Sequence, residues 1–150
     1  MRRAGARLKS RDEIESMRRA GRLVSQVLVR VEAMTRPGVT TAELNAVAEQ
    51  MIKEAGAEAL FRGVKTRQAR FPFPAALCTS VNEQVVHGIP SDRPLREGDV
   101  VSVDCGVRLG GWCGDSASTI AIGEVEPDVQ RLLRVTREAL AIAIAEIRPK

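Results

Sequence analysis

The stretch from Val100 to Ile122 reads VVSVDCGVRLGGWCGDSASTIAI, and it predicts two strands joined by a tight glycine turn. With Leu109 and Gly110 at the centre of the turn, Asp104 and Asp115 would be directly opposed and would share one face of the ladder. Like charges that face each other on paired strands destabilise the pairing. A divalent cation held by both carboxylates would explain the arrangement, because hard cations favour oxygen ligands.

The register of this hairpin is the assumption on which the acidic pair depends. A turn centred on Gly110–Gly111 would place Ala117 opposite Asp104 and would dissolve the direct pair. A solvated hairpin that carries two acidic residues is the plainer alternative, and spacing alone does not choose between the two.

Length and composition indicate one globular domain. The chain has 150 residues, of which 44% are hydrophobic and 28% are charged, and these values are typical of a soluble protein. No apolar run is long enough for a membrane span, and no apolar segment follows the charged N-terminus as it would in a secretory signal. Three cysteines without a Cys-x-x-Cys spacing argue against a disulfide framework or a zinc knuckle, and they favour the reducing cytoplasm.

The net charge of +4 comes largely from two basic groups. Such a patch is compatible with binding to RNA or another polyanion. No aromatic residues interleave the charges, so an ordinary solvated surface is the favoured interpretation. The residues are Arg2, Arg3, Arg7, Lys9 and Arg11 in the first group, and Arg62, Lys65, Arg67 and Arg70 in the second.

The order of elements predicts an α+β fold. Ser10 with Glu13 and Thr40 with Glu43 form two capping boxes, each of which marks the start of a helix. Short apolar runs broken by turns follow and indicate strands. Pro127 stands near the start of a last helix, where proline is well tolerated. We therefore expect an antiparallel sheet that is covered on one face by helices.

The single histidine of the chain, His87, lies in the segment SVNEQVVHGIP between two predicted strands. A loop histidine can reach into a cleft, and its ordinary pKa near 6.5 suits proton transfer or hydrogen bonding to a polarised carbonyl. The alternative is an ordinary loop residue. The spacing does not tell whether His87 lies close to the aspartates.

Three segments together resemble type I methionine aminopeptidase. They are SVNEQVVHGIPSDRPL at residues 80–95, GDVV at residues 98–101, and the hairpin from Asp104 to the GWCGD sequence that ends at Asp115. The hairpin pattern is shared with prolidase and aminopeptidase P, whereas the histidine loop is more particular to methionine aminopeptidases. The resemblance covers nearly the whole chain and is interrupted mainly at residues 62–70.

The resemblance implies a cytoplasmic metallohydrolase that removes the N-terminal methionine from nascent proteins. Asp104 and Asp115 match the family's hairpin ligands of two divalent ions, with Co, Mn, Fe or Zn as the candidates. His87 matches the catalytic histidine that contacts the substrate. Phe73 and Cys78 fall where the family lines its methionine side-chain pocket, although both could equally be plain core residues.

The same resemblance implies that residues 1–150 form a single incomplete domain, the N-terminal half of the family's two-part pita-bread fold. The second half supplies a histidine and two glutamates to the metals, and this chain has no second histidine. We therefore expect weak cation binding and little activity from the chain alone. The expected partners are nascent peptide N-termini, the ribosome as a candidate, and the missing half or a second copy. A non-enzymatic module that binds peptide or RNA is the alternative function.

Overall fold

The computed structural model describes residues 7–65 and 70–148. Arg2, Arg3 and Arg67 of the basic groups lie outside these residues, as does the middle of the interruption at 62–70. The described elements follow in the order α1 (Arg11–Met34), α2 (Thr41–Glu54), β1 (Glu58–Ala59), β2 (Leu77–Val81), β3 (Val100–Leu109), β4 (Trp112–Ala121) and α3 (Pro127–Ala145). None of the described helices is long and apolar enough to cross a membrane.

Both predicted capping boxes are present. The Ser10 hydroxyl accepts from the backbone N–H of Glu13 at the start of α1, and the Glu13 carboxylate accepts from the Ser10 N–H in return. Thr40 and Glu43 make the same reciprocal pair at the start of α2. These bonds satisfy N–H groups that have no partner inside the helix, so the helices begin where the sequence predicts.

The sheet is antiparallel and is built around β3. Strand β4 pairs with one edge of β3, while β2 and the short β1 pair with different parts of its other edge. Alternate residues of β3 point to opposite faces, as the pleat requires. Val101, Val103, Cys105 and Val107 are fully buried in the core beneath α1 and α2. The opposite face of β3 carries Asp104.

The predicted direct pairing of Asp104 with Asp115 is wrong. The turn is centred on Gly110 and Gly111, so Asp104 faces Ala117 and Asp115 faces a glycine. Both turn glycines have a positive φ, 58° and 83°, which a two-residue hairpin turn of this kind requires at both central positions. Since a leucine would be strained there, Leu109 stays in the strand. The two aspartates still point to the same face, offset by two residues along the ladder.

The expected α+β fold, with helices on one face of an antiparallel sheet, is confirmed by α1 and α2. Helix α1 crosses β3 and β4, and its backbone comes so close to β4 that a side chain at Gly114 would meet the Ala20 carbonyl at 2.8 Å. The third helix stands apart from this layer. It begins with Pro127 as predicted, but none of its residues is buried. Its apolar side chains Leu132, Val135, Leu140, Ile142 and Ile144 are exposed.

Candidate metal and substrate site

The two acidic side chains of the hairpin lie on the face of the sheet opposite the helices. Burial raises the pKa of the Asp104 carboxyl above its ordinary value, and the negative charge of Asp115 raises it further. His87 is near enough to act in the opposite direction. The Oδ1 atom of Asp104 is buried and has no hydrogen-bond partner. A buried oxygen without a donor is costly, so this atom is suited to a ligand that brings positive charge or a donor.

Cys78 is the direct partner of Asp104 on the neighbouring strand β2. The thiol is buried, and burial together with the charges of Asp104 and Asp115 raises its pKa to about 11. The side chain is therefore a neutral thiol at physiological pH. A neutral, polarisable sulfur beside an apolar space is suited to contact with aromatic or thioether groups.

Four of the five residues that the sequence singles out line one cavity of about 680 Å³. They are Phe73, Cys78, His87 and Asp104. The fifth, Asp115, lies on the same face of the hairpin beside this cavity. The structure therefore brings together residues from four parts of the chain: the loop before β2, β2 itself, the loop after β2, and the β3–β4 hairpin.

The rest of the cavity wall is apolar except for Arg70, and it was not predicted. It comes mainly from the segment between β1 and β2, and its members are Phe61, Val64, Arg70, Phe71, Pro72, Pro74 and Ile89. The two phenylalanines of the run at residues 71–74 were the available signal, because pockets are lined mainly by apolar and aromatic side chains. Phe61 gave no signal of its own.

Backbone hydrogen bonds fix the two ends of this wall. The N–H of Gly63 donates to the Phe73 carbonyl, and the N–H of Phe73 donates to the Val64 carbonyl, both at 2.8 Å. The N–H of Leu60 donates to the Gly106 carbonyl at 2.9 Å, which continues the pairing of β1 with β3. Phe61 is thereby placed against the strand that carries Asp104.

The carboxylate pair is suited to contribute ligands to a cation. Asp104 and Asp115 offer hard oxygen donors on one face, and the orphaned Oδ1 of Asp104 fits the expectation of a bound cation. Within residues 7–65 and 70–148, however, no group of three or more histidine, cysteine, aspartate or glutamate side chains is placed to hold a metal ion. Among the described residues, Asp104 and Asp115 are thus two candidate ligands, fewer than the three that such a group requires.

Comparisons with known proteins find one metallopeptidase family. The model of metallopeptidase family M24 matches residues 15–150. A methionine aminopeptidase of Clostridium acetobutylicum is 47% identical over 133 residues, which are 88% of this chain and 51% of the relative. One from Helicobacter pylori is 43% identical over 94% of this chain and 53% of its own length. The chain thus spans about half the length of the curated relatives it matches.

Solved structures agree with this result. The methionine aminopeptidase of Thermotoga maritima superposes with a TM-score of 0.87 at 38% identity, covering 95% of this chain and 55% of that one. The enzyme from Rickettsia prowazekii gives 0.82 at 34% identity, covering 90% and 52%. A prolidase from Pyrococcus horikoshii superposes with a TM-score of 0.78, covering 95% of this chain and 38% of that one. Its sequence identity is 21%, so this likeness concerns the fold alone.

Proposed function

The chain belongs to metallopeptidase family M24, and on that premise we propose that it forms the N-terminal half of an aminopeptidase that removes the initiator methionine from nascent proteins. One observation carries the proposal. A mostly apolar cavity is lined in part by Asp104, and the Oδ1 atom of Asp104 is buried without a hydrogen-bond partner, which supports a side-chain site that adjoins a cation site.

The cavity fits the side chain of methionine. Phe73 supplies an aromatic ring and Cys78 a neutral thiol, and both are favourable surroundings for a polarisable thioether. Phe61 and Phe71 extend the apolar wall. Because the lining is mostly apolar, an apolar first side chain gains more there than a charged one, whose hydration would be lost.

Asp104 and Asp115 would hold the divalent ions, with Co, Mn, Fe or Zn as the candidates. When bound, such ions polarise the scissile carbonyl and lower the pKa of a bound water so that hydroxide is available near neutral pH. Two carboxylates are an incomplete ligand set for two ions. The remaining ligands would come from the second half of the domain or from a second copy of the chain, and we expect little activity without them.

His87 would act on the substrate rather than on the metal. It lines the same cavity as Asp104, so a substrate carbonyl bound there beside Asp104 would share that space with the imidazole. Donation of a hydrogen bond to that oxygen would stabilise the negative charge that develops there. His87 is therefore the residue to which we assign the catalytic contact made by the chain itself.

We also propose a cytoplasmic location and nascent peptide N-termini as partners, with the ribosome as a further candidate. The alternative of an RNA-binding module has less support, because acidic side chains accompany part of the basic surface. Arg7 of the first basic group pairs with Glu13, and Arg62 of the second pairs with Glu49. A paired arginine has less charge available to neutralise phosphates.

Calorimetric titration with Mn²⁺ tests the metal site. The expected result is weak binding by the wild type and a loss of about tenfold or more, roughly 1.4 kcal/mol, in Asp104→Ala and in Asp115→Ala. Asp92→Ala is the matched control, since Asp92 is an exposed aspartate outside the site. Equal binding by all four proteins would eliminate the proposed site.

Release of methionine from Met-Gly-Met tests the enzyme. Activity should be low for the chain alone and should rise when the second half of a methionine aminopeptidase is added. Light scattering coupled to size exclusion then distinguishes the source of the missing ligands. A monomer that gains no activity on mixing would contradict both the split arrangement and self-association.

A further inference from the structure

The backbone next to His87 is in an unusual conformation. Among the described non-glycine residues only Asn82 and Val86 have a positive φ, 52° and 45°. Asparagine tolerates this region, but a β-branched residue is rarely found there because its side chain crowds the backbone. The N–H of His87 donates to the Val85 carbonyl at 2.6 Å and closes a three-residue γ-turn with Val86 at its centre.

The strain at Val86 has no compensation from packing. Its side chain is 61% exposed and that of Val85 is 81% exposed, so neither valine contributes to the core. The conformation must therefore be imposed by the segments on either side. Strained backbone of this kind persists only where the surrounding structure determines it, and it is concentrated at functional sites.

The residue after His87 is fixed to β2. The N–H of Gly88 donates to the Ser80 hydroxyl at 3.0 Å, and the Gly88 carbonyl accepts from the Thr79 N–H at 2.8 Å. A Cβ at Gly88 would collide with the Thr79 carbonyl and lie 2.7 Å from the Ser80 Cα. The chain can approach the strand this closely only because residue 88 is glycine.

The start of the loop is fixed as well. The N–H of Gln84 donates to the Val81 carbonyl at 3.1 Å, and the Gln84 side chain accepts from the Val81 N–H at 2.9 Å. Asn82 donates through its backbone N–H to the Val100 carbonyl and through its side chain to Asp99. Between these two anchors only three residues remain to turn the chain and present the imidazole to the cavity.

We propose that Val86 is a positioning residue, whose positive φ directs His87 into the cavity beside Asp104. The inference rests on the proposed function, because it concerns how the catalytic histidine is presented. What the experiment measures is the position of the His87 ring. Failure of the inference is therefore distinguishable from failure of metal binding or catalysis.

Two substitutions at Val86 test whether the placement of His87 depends on a positive φ at this position. Val86→Asn accepts a positive φ more readily than valine, so it should keep the turn and shift the urea midpoint upward. Val86→Pro fixes φ near −65° and excludes the turn. No hydrogen bond from the Val86 N–H is among those described, so proline removes no known backbone bond. Val85→Ala is the control for a change in the same loop.

The measurement uses the fact that His87 is the only histidine. Its ring signals in a ¹H–¹³C spectrum need no further assignment, and their change on adding Asp104→Asn, at one fixed pH, reports whether the two side chains are neighbours. We expect the change in the wild type, Val86→Asn and Val85→Ala backgrounds, and its loss in Val86→Pro. Its persistence in a folded Val86→Pro protein, or its loss in Val86→Asn, would overturn the inference.

If the Val86→Pro variant does not fold, a comparison of Val86→Gly with Val86→Asn tests the same inference. Val86→Gly permits both signs of φ, so the ring of His87 should become more mobile in ¹³C relaxation than in Val86→Asn. Greater ring order in the asparagine variant than in the glycine variant supports the inference. Equal ring order in wild type, Val86→Asn and Val86→Gly overturns it.

Discussion

Gly106 faces Asp115 directly across the β3–β4 hairpin, and the space that its missing side chain leaves is used from both sides. A Cβ at residue 106 would lie 3.2 Å from the Asp115 Oδ2 and 2.8 Å from the Phe61 ring. The carboxylate and the aromatic wall of the cavity therefore meet at one glycine. A substitution that moves the Phe61 ring should therefore also move the Asp115 carboxylate, and a substitution that moves the carboxylate should also move the ring.

Gly106→Ala should weaken divalent cation binding by about tenfold, roughly 1.4 kcal/mol, because the methyl group displaces the Phe61 ring or the Asp115 carboxylate. Titration with Mn²⁺ measures the effect. Gly21→Ala is the matched control, since a Cβ at that helical position meets nothing within 4 Å. It should leave cation affinity unchanged and stabilise α1 by about 0.5–1 kcal/mol. Equal affinities in the two variants would contradict the shared-space interpretation.

Asp104→Asn should make the cation-free chain more stable at neutral pH. Burial and the charge of Asp115 raise the pKa of Asp104 in the folded state, so folding favours the protonated carboxyl. That contribution is complete below the ordinary pKa near 3.9 and is lost as the pH rises through the raised value. The gain should stay below about 1 kcal/mol because water screens the repulsion.

Urea unfolding in the presence of a chelator, at pH 7 and again near pH 4, measures this difference. The stabilisation by asparagine should shrink as the pH falls. Asp92→Asn, a change at an exposed aspartate, should show no such trend. A substitution at Asp104 that destabilised the chain at pH 7 would show that the carboxylate is stabilised in the fold rather than strained.

Cysteine alkylation should follow exposure and thiolate content. Cys113 is exposed, whereas burial raises the pKa of Cys78 to about 11 and that of Cys105 to about 12. At pH 7.5 we expect Cys113 to react with iodoacetamide roughly tenfold faster or more than the other two. Peptide mass spectrometry against time gives the three rates. Fast modification of Cys78 would indicate that the cavity presents a reactive thiolate rather than a neutral thiol.

Truncation of a leucine should lower the free energy of unfolding much more on α2, which packs on the sheet, than on α3, which does not. Leu44 on α2 is fully buried, so Leu44→Ala should cost about 2–5 kcal/mol in the free energy of unfolding. Leu132 on α3 is 64% exposed, so the same change there should cost no more than about 0.5 kcal/mol. Urea denaturation followed by circular dichroism measures both. Comparable losses would show that α3 packs against the layer in solution.

Local signals in the sequence were enough to locate most of the fold. Ser10 and Thr40 cap their helices because their side chains bond backbone groups three residues away, and Pro127 begins α3 because the first turn needs no donor. The observed hairpin register was the alternative that the sequence left open, not the one from which the direct aspartate pair was predicted. Two adjacent glycines, Gly110 and Gly111, fit a turn with two positive φ values, and Leu109 does not.

The site was only partly accessible to the same reasoning. Asp104 and Cys78 become neighbours through pairing of β2 with β3, across 18 residues of loop whose path no periodicity specifies. Phe61 enters through one backbone bond from Leu60 to Gly106. The apolar pattern of α3 predicted a helix correctly, but a pattern does not say what that helix packs against.

The isolation of α3 has a consequence for how the molecule melts. A helix with no buried residue gains little from the cooperativity of the core, so its 19 residues should fray gradually while the sheet and its two helices unfold in one transition. Amide protons of α3 should accordingly exchange with deuterium far sooner than those of β3. Any molecule that covers its exposed leucine and isoleucine side chains would slow that exchange. The exchange rate of the α3 amides therefore reports whether a partner is bound to this helix.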